Sequence, residues 1–195
     1  MKRHLVTPLS ALLLLPLPLL SSSGCSPSAE RPAPAVSSSA PAPSSGAPFT
    51  ATDSGWIQLM TPMNEQAGRL LALASAQEST PQLASWAAAL AEEHRTELAQ
   101  LRQLLGRMGL PGTNVHEGHD MPGMVTDADL DRARGLTGAE FDGFVRREIR
   151  AHLEQSQRVS RSESRAGGGE EAKRLAGRIA DARAEQLRTL SSLGR

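Results

Sequence analysis

The chain of 195 residues carries 21 basic and 21 acidic side chains, and only 3% of its residues are aromatic. Without residues 1–24 the balance is 19 basic residues (21 − 2) against 21 acidic ones, because that segment holds two basic residues and no acid. Such a balance gives no reason to expect nucleic acid or an anionic membrane surface as a partner. Strands are disfavoured too, since the chain has no tyrosine and no alternation of apolar and polar residues.

Residues 1–24 have the pattern of a secretory signal peptide. Lys2 and Arg3 precede an apolar run, Leu5–Leu20, which three prolines interrupt and small residues follow. A membrane-spanning helix needs about 20 predominantly apolar residues, so we interpret this run as a cleaved signal rather than as a span.

Cys25 follows this segment and is the only cysteine, so it cannot form an internal disulfide. Its place after Gly24 resembles the lipobox of bacterial lipoproteins, although Ser22 stands where a lipobox usually has Leu. The resemblance implies cleavage before Cys25 and lipidation of that residue, which anchors the protein to the membrane on its extracytoplasmic side. The alternative is ordinary cleavage nearby, which leaves a free thiol.

Residues 25–48 are predicted to form a disordered tether behind this anchor. Nearly every residue from Ser26 to Pro48 is Ser, Pro, Ala or Gly, so the segment lacks the apolar side chains that offset the entropy lost on ordering. The folded domain is predicted to span residues 49–195, which is long enough for a single core.

Four long amphipathic helices are predicted within the domain. The first spans about residues 53–77, and Pro62 inside it predicts a kink or a later start. The second begins at Pro81, behind Thr80 as the N-cap, and ends near Gly109.

A long connection then separates the second helix from the third. Within it, Thr126 and Asp129 have the spacing of a capping box for a short helix. The third long helix begins at Thr137, where Glu140 predicts another capping box, and glycines at 167–169 separate it from the fourth. In a small domain, a connection of this length is usually functional or disordered.

Two weakly similar helical pairs account for the four helices. Residues 56–67 resemble residues 144–155 at an offset of 88 (144 − 56), and the segment from Leu90 resembles that from Ile179 at an offset of 89 (179 − 90). Two such pairs most simply pack against each other. The predicted fold is therefore an all-α, ferritin-like four-helix bundle of two hairpins joined by a long loop.

Polar residues on inward helix faces form a first candidate metal site. Glu148 and His152 lie four residues apart on an otherwise apolar face, and His94 interrupts the apolar stripe of the second helix. Glu and His on facing helices are how bundles build metal sites. The structural alternative is that each histidine is a hydrogen-bonded core residue and that Glu148 pairs with a neighbouring arginine such as Arg147.

The long connection holds a second candidate site. Four potential ligands fall within nine residues: His116, His119, Met121 and Met124. Imidazole and thioether ligands together suit copper, and thioether favours the reduced ion, so copper is the expected cofactor. The alternative is an exposed linker whose His and Met side chains bind nothing.

No enzymatic motif accompanies these candidates. The sequence has no Gly-rich phosphate loop, no GxSxG and no HExxH, and Cys25 is assigned to the anchor. We therefore expect no catalytic residues and no enzymatic activity.

Several positions match one family pattern: Met60, Pro62, Ala67, Glu97, Leu98, His152 and the linker HDMPGMVTDADLDRARGLTGAEFD that starts at His119. With these residues, the domain from about Phe49 to the end resembles the secreted bacterial DUF305 proteins. The resemblance implies a ferritin-like helical bundle of unsettled general function, with copper binding linked to some members.

The chain also departs from that family pattern. Met63-Asn64 stands in place of the family's first His-His pair, and Ala151-His152 keeps half of the second. Glu148 stands where the family has Met, and His94 stands where it has Gln. The family site is therefore either lost here or rebuilt from His94, Glu148 and His152.

The sequence thus predicts a lipid-anchored, extracytoplasmic, non-catalytic protein that binds copper for storage, buffering or handoff. The alternative is a metal-free structural or interaction module at the cell envelope, and a ferritin-like redox enzyme ranks third. No residue pattern identifies a protein partner.

Overall fold

The computed structural model describes residues 49–76 and 79–193. The predicted signal peptide, Cys25 and the predicted tether lie outside these residues. Over the described part of the chain there are five helices and no strand: α1 (Ala51–Ala76), α2 (Pro81–Arg107), α3 (Asp127–Gly135), α4 (Gly138–Ala166) and α5 (Glu170–Ser192). The prediction of an all-α fold is confirmed.

The four long helices form a bundle of two hairpins. Helix α1 packs mainly against α2, and α4 packs mainly against α5, while contacts between α1 and α4 join the two hairpins. The long connection between α2 and α4 contains the short helix α3, which touches both α1 and α4. This is the predicted architecture. None of these helices combines the length and the apolar character that crossing a membrane requires.

Two apolar clusters fill the bundle on either side of a polar layer. Leu90 of α2 belongs to the first cluster and Leu101 to the second, and His94 and Glu97 lie between them. The predicted apolar stripes supply most of both clusters, the first built around Ala67, Leu70, Leu71, Phe141, Phe144, Val145 and Ile149, the second around Trp56, Met60, Met63, Leu104, Leu175 and Ile179. The long helices are therefore stabilised mainly by burial of these stripes.

Helix α1 continues through Pro62, so of the two predicted alternatives, a kink or a later start, the later start is wrong. The helix already begins at Ala51, and Pro62 is buried within it. Proline removes one backbone donor from the helix. Next to Pro62, the hydroxyl of Thr61 donates to the carbonyl of Ile57 at 2.8 Å. Apolar packing on both sides of Pro62 outweighs the lost hydrogen bond.

One of the two predicted capping boxes forms. At α3 the hydroxyl of Thr126 accepts from the N–H of Asp129 at 3.1 Å, and the Asp129 carboxylate accepts from the N–H of Thr126 at 2.9 Å. At α4 the N-cap is Thr137, as predicted, but its side chain makes no cap hydrogen bond. The next residue, Gly138, has φ +54°, and no N–H of the first turn donates to the Thr137 hydroxyl.

The contrast between the two threonines predicts different costs of mutation. T126A removes a side-chain cap and should lower the free energy of unfolding by about 1 kcal/mol. T137A removes a hydroxyl that caps nothing and should cost less than about 0.5 kcal/mol. Urea unfolding followed by circular dichroism measures both, and equal losses would contradict the assignment of the cap to Thr126.

Candidate functional site

The polar layer consists of seven side chains contributed by all four long helices. They are Asn64 of α1, His94 and Glu97 of α2, His152 and Ser156 of α4, and Arg183 and Gln186 of α5. All are buried except Glu97, whose side chain is 14% exposed. Buried polar groups are costly unless they bond to each other, so their contacts decide what the layer can do.

The two histidines of the layer meet at its centre. The Nε2 atoms of His94 and His152 lie 3.1 Å apart, and both residues are almost completely buried. The ring centroids are 5.2 Å apart, with an angle of 51° between the ring planes. The structure thus brings together the two inner histidines that the sequence singled out, although they are 58 residues apart in the chain.

The backbone sets the tautomer of His94. Its Nδ1 lies 3.1 Å from the carbonyl oxygen of Leu90, which can only accept, so Nδ1 carries the proton and Nε2 presents a lone pair. A hydrogen bond between the rings then requires the proton of His152 to be on Nε2. In that tautomer, the Nδ1 of His152 has no partner of regular geometry within the described residues.

His152 has a second possible tautomer, with its proton on Nδ1, on the side of the ring near the backbone of Gly123. The backbone of Gly123 lies near His152 and acts to raise its pKa, against the larger effect of burial, although Nδ1 makes no hydrogen bond of regular geometry in the described residues. With the proton on Nδ1, the Nε2 lone pairs of both rings face each other. Histidine ligands typically donate their other ring N–H to a backbone carbonyl or a carboxylate in this way. Position 123 requires glycine for two reasons. Its φ is +77°, and a Cβ there would lie 2.7 Å from the carbonyl oxygen of Ala151.

Both inner histidines are held neutral. Burial is the main cause, and the positive charge of Arg183 adds to it, so the pKa of His152 falls to about 3 and that of His94 lies well below its ordinary value. The His152 ring also disfavours a charge on His94. The pair therefore presents neutral imidazoles, which is the state that binds metals.

Arg183 is completely buried, and the rest of the polar layer surrounds it. Its guanidinium makes two hydrogen bonds to the carboxylate of Glu97, at 3.0 and 2.5 Å, and donates to Gln186 at 2.9 Å and to Ser156 at 2.9 Å. Asn64 donates to the same carboxylate at 2.9 Å. These contacts join α1, α2, α4 and α5 through one cation.

Glu148 does not lie with the two histidines. Its carboxylate pairs with Arg147 at 3.0 Å and is 23% exposed. This is the structural alternative that the sequence left open. The i, i+4 spacing places Glu148 beside the apolar stripe of α4, and its side chain reaches the solvent at the edge. Within the part of the chain that the structure describes, no group of three His, Cys, Asp or Glu residues is placed to hold a metal.

The four loop residues separate into two pairs. The rings of His116 and His119 lie edge to face with centroids 6.2 Å apart, His116 partly buried and His119 exposed. Met124 is 8% exposed and belongs to the second apolar cluster, and Met121 packs against the same cluster. The structure thus brings the two loop histidines together, whereas the two thioethers contribute to the core.

Arg183 is not among the candidate residues predicted from the sequence, but the internal repeat contains a signal that points to it. Extending the offset of 89 from Leu90 and Ile179 pairs His94 with Arg183 and Glu97 with Gln186, and the offset of 88 pairs Asn64 with His152. A basic residue four positions after Ile179, in the stripe of α5, was visible as well. The polar layer is thus a pseudo-symmetric set in which each hairpin carries one histidine, and Arg183 occupies the repeat position of His94.

Fold and site together define the class of protein: an all-helical bundle of two hairpins around a buried, two-histidine polar layer. The family profile described as "Domain of unknown function (DUF305)" matches residues 53–193. The chain therefore belongs to the DUF305 family, and the resemblance proposed from its sequence is confirmed.

Two solved structures share the fold. The "putative secreted protein DUF305" of Streptomyces coelicolor has 18% identity and a TM-score of 0.64, and the match covers 73% of this chain and 91% of that one. A DUF305 fragment from Deinococcus radiodurans has 23% identity and a TM-score of 0.68, with 75% of this chain and 97% of that one covered. At such identities, the likeness establishes the helical fold alone. No curated protein is significantly similar to this sequence.

Truncating Arg183 should destabilise the bundle strongly. In R183M the Glu97 carboxylate loses its counter-ion in a largely buried site, and such losses cost about 3–5 kcal/mol. The matched control is R188A, which breaks the exposed pair between Arg188 and Glu185 on the same helix and should cost about 0–1 kcal/mol. Urea unfolding at neutral pH compares the two, and similar losses would show that the layer does not depend on this cation.

The inner histidines should make the protein less stable in acid. Because the pKa of His152 is about 3 in the folded chain and about 6.5 in an unfolded one, the unfolded state binds more protons between these values. The contribution of His152 to the free energy of unfolding should therefore fall as pH decreases from about 6.5 towards 3, by up to about 1.4 kcal/mol per pH unit. In H152Q this slope should be shallower, and an unchanged slope would contradict a neutral His152.

Proposed function

We propose that this chain is an extracytoplasmic lipoprotein whose DUF305 domain binds Cu(I) through His94 and His152, for storage, buffering or handoff without catalysis. The observation that carries the proposal is the separation of 3.1 Å between the two Nε2 atoms in a buried layer. Metal–imidazole bonds are about 2.0–2.1 Å long, so two nitrogens on one ion lie no more than about 4 Å apart. The observed separation fits that limit.

The layer favours Cu(I) over zinc. Zinc in proteins takes three or four protein ligands, and the described residues offer no such group. Imidazole suits copper, and the reduced ion tolerates fewer ligands. Its single charge also costs less to bury than a double charge does. The Glu97 carboxylate pairs with the nearby guanidinium of Arg183, so the surroundings of the histidines are close to neutral.

The chain's own residues prepare the site. The carbonyl of Leu90 fixes the Nδ1 proton of His94, and binding would require the tautomer of His152 that carries its proton on Nδ1 and frees Nε2. A bound ion would replace the hydrogen bond between the rings, and neither ring has to lose a proton overall. His116 and His119 at the surface are proposed as a second, weaker contact for copper.

The alternative is a metal-free structural or interaction module, and Arg183 is the observation that favours it. A buried cation next to the histidines opposes binding of another one. In this alternative, the histidine pair is a hydrogen-bonded part of the core and the domain acts through a protein partner at the cell envelope.

The proposed location has two supports. Cys25 is the only cysteine and follows an apolar run and Gly24, which is typical of a lipidated cysteine. The fold is shared with a protein described as a "putative secreted protein DUF305". We accordingly propose the membrane, through the lipid, as a partner, and no nucleic acid.

Titration with Cu(I) in competition with a chromophoric chelator tests the proposal. The titration uses the full chain with the substitution C25S, so that the only thiol of the sequence cannot bind copper. We expect one Cu(I) per chain, at least about tenfold weaker binding in H94Q and in H152Q, and little change in the matched loop variant H116Q/H119Q. Zinc should bind more weakly than Cu(I).

Two other outcomes would overturn the inner site. Loss of binding in the loop variant alone would assign copper to the connection and leave the inner pair as core. Equal binding by all variants, or none, would support the metal-free module. Circular dichroism of each variant confirms that the comparison is between folded proteins.

A further inference from the structure

Two buried carboxyl groups face each other at the end of the bundle where the chain enters α1. Asp53, in the first turn of α1, is 0% exposed, and Glu163, in the last turn of α4, is 1% exposed. They belong to different hairpins and lie apart from the polar layer of the histidines. Two carboxylates in contact inside a protein cannot both be ionised without a large cost.

Asp53 is surrounded by hydrogen-bond donors. It accepts from the backbone N–H of Gly168 at 3.1 Å and of Gly169 at 3.0 and 3.1 Å. It also accepts from the N–H and the hydroxyl of Thr50, at 2.5 and 2.7 Å. Burial alone, the largest single effect, would raise the pKa of Asp53, but these donors and Glu163 outweigh it and lower the pKa to about 2.

The glycine turn between α4 and α5 is shaped for this contact. A Cβ at Gly167 would lie within 3.0 Å of the carboxyl oxygens of both Glu163 and Asp53, and a Cβ at Gly168 would collide with the Thr50 side chain. Only glycine lets the turn approach this closely. The turn therefore holds the start of the first hairpin against the second.

Glu163 has no donor when it is ionised. Neither of its carboxyl oxygens has a hydrogen-bond partner in the described part of the chain. A proton on Glu163 resolves this, because the O–H group donates to Asp53, and burial together with that hydrogen bond raises the pKa of Glu163 to about 8. Asp53 and Glu163 thus share one proton, and the shared proton completes the contact.

We propose that Thr50, Asp53, Glu163 and the turn 167–169 form a proton-operated latch, which fastens the start of α1 to the second hairpin and loosens when Glu163 loses its proton. Thr50 lies two residues after the end of the segment 25–48 that the sequence predicts to be a tether. The latch therefore controls how firmly the incoming chain is held by the bundle. It is independent of copper and of the histidine pair.

The charges around Glu163 determine the direction of the effect. Asp53 faces it from α1, and Lys173 faces it from α5 and lowers its pKa slightly while pairing with Glu170. Arg107 of α2 pairs with Glu171 rather than with Glu163. When the latch opens, Glu163 returns to an ordinary pKa of 4.5. Opening thus releases a proton, becomes easier as pH rises from about 4.5, and changes no further above about 8.

Amide hydrogen exchange at Gly168 and Gly169 measures the latch directly. E163Q imitates the protonated side chain, since its amide donates to Asp53 at every pH. The ratio of the wild-type exchange rate to the E163Q rate cancels the intrinsic pH dependence of exchange. We expect this ratio to rise between pH 5 and 8, by up to about tenfold per pH unit. The control E154Q changes an exposed glutamate on the same helix and should follow the wild type.

Trp56 provides a second readout in a chain whose carboxyl pair is unmutated. It lies one turn after Asp53, is 5% exposed, and donates from Nε1 to Ser160, one turn before Glu163, at 3.3 Å. With W86F removing the other tryptophan, quenching of Trp56 by acrylamide should increase across the same pH range. Carbon-13 titration of the Glu163 carboxyl in the unmutated chain should give a midpoint near 8.

The proposal fails if the exchange ratio stays constant between pH 5 and 8, or if Glu163 titrates near 4.5. It also fails if E154Q abolishes the pH dependence as fully as E163Q does. The carboxyl titration needs no variant, so a poorly folded E163Q protein does not prevent the test.

Discussion

Burial of the Arg183 guanidinium is the constraint on which the rest of the bundle depends. A buried cation is tolerated only when its donors are satisfied, and here Glu97, Ser156 and Gln186 accept from it. Because Asn64 bonds to the same carboxylate, one charged pair ties together all four long helices. A shift of any helix by one turn would separate these partners. The polar layer therefore fixes the register, while the apolar clusters on either side supply most of the burial.

The same cation also sets the chemistry of the histidine pair. Desolvation disfavours a charge on either ring, and the field of Arg183 acts in the same direction. The rings stay neutral, and their nitrogen atoms can accept a hydrogen bond or bind a soft ion. A neutral imidazole pair beside a compensated arginine disfavours a highly charged ion, and this is the physical basis on which Cu(I) is proposed rather than a divalent ion. The hairpins are pseudo-symmetric in fold but not in chemistry, since the repeat position of His94 is occupied by Arg183.

The two buried polar centres of the domain follow opposite rules. In the polar layer, burial removes protons from bases, whereas at Asp53 and Glu163 burial keeps a proton on an acid. Each centre also depends on a glycine at which no Cβ fits, Gly123 next to His152 and Gly167 next to the carboxyl pair. Both centres therefore need backbone that approaches closely: the connection before α3 at the polar layer, which lies midway along the long helices, and the turn 167–169 at the carboxyl pair.

The sequence by itself determined the helices, the hairpin pairing and the family, because apolar period, glycine breaks and an internal repeat are local signals. It also named His94 and His152, since a histidine in an apolar stripe is conspicuous. Only the tertiary structure decided that these two meet while Glu148 turns to Arg147, because helical spacing fixes a face but not the reach of a side chain at its edge. The contact of Arg183 with Glu97 joins residues 86 apart in the chain, and that of Asp53 with Gly168 joins residues 115 apart. Such contacts depend on packing between distant segments, which no local sequence pattern records.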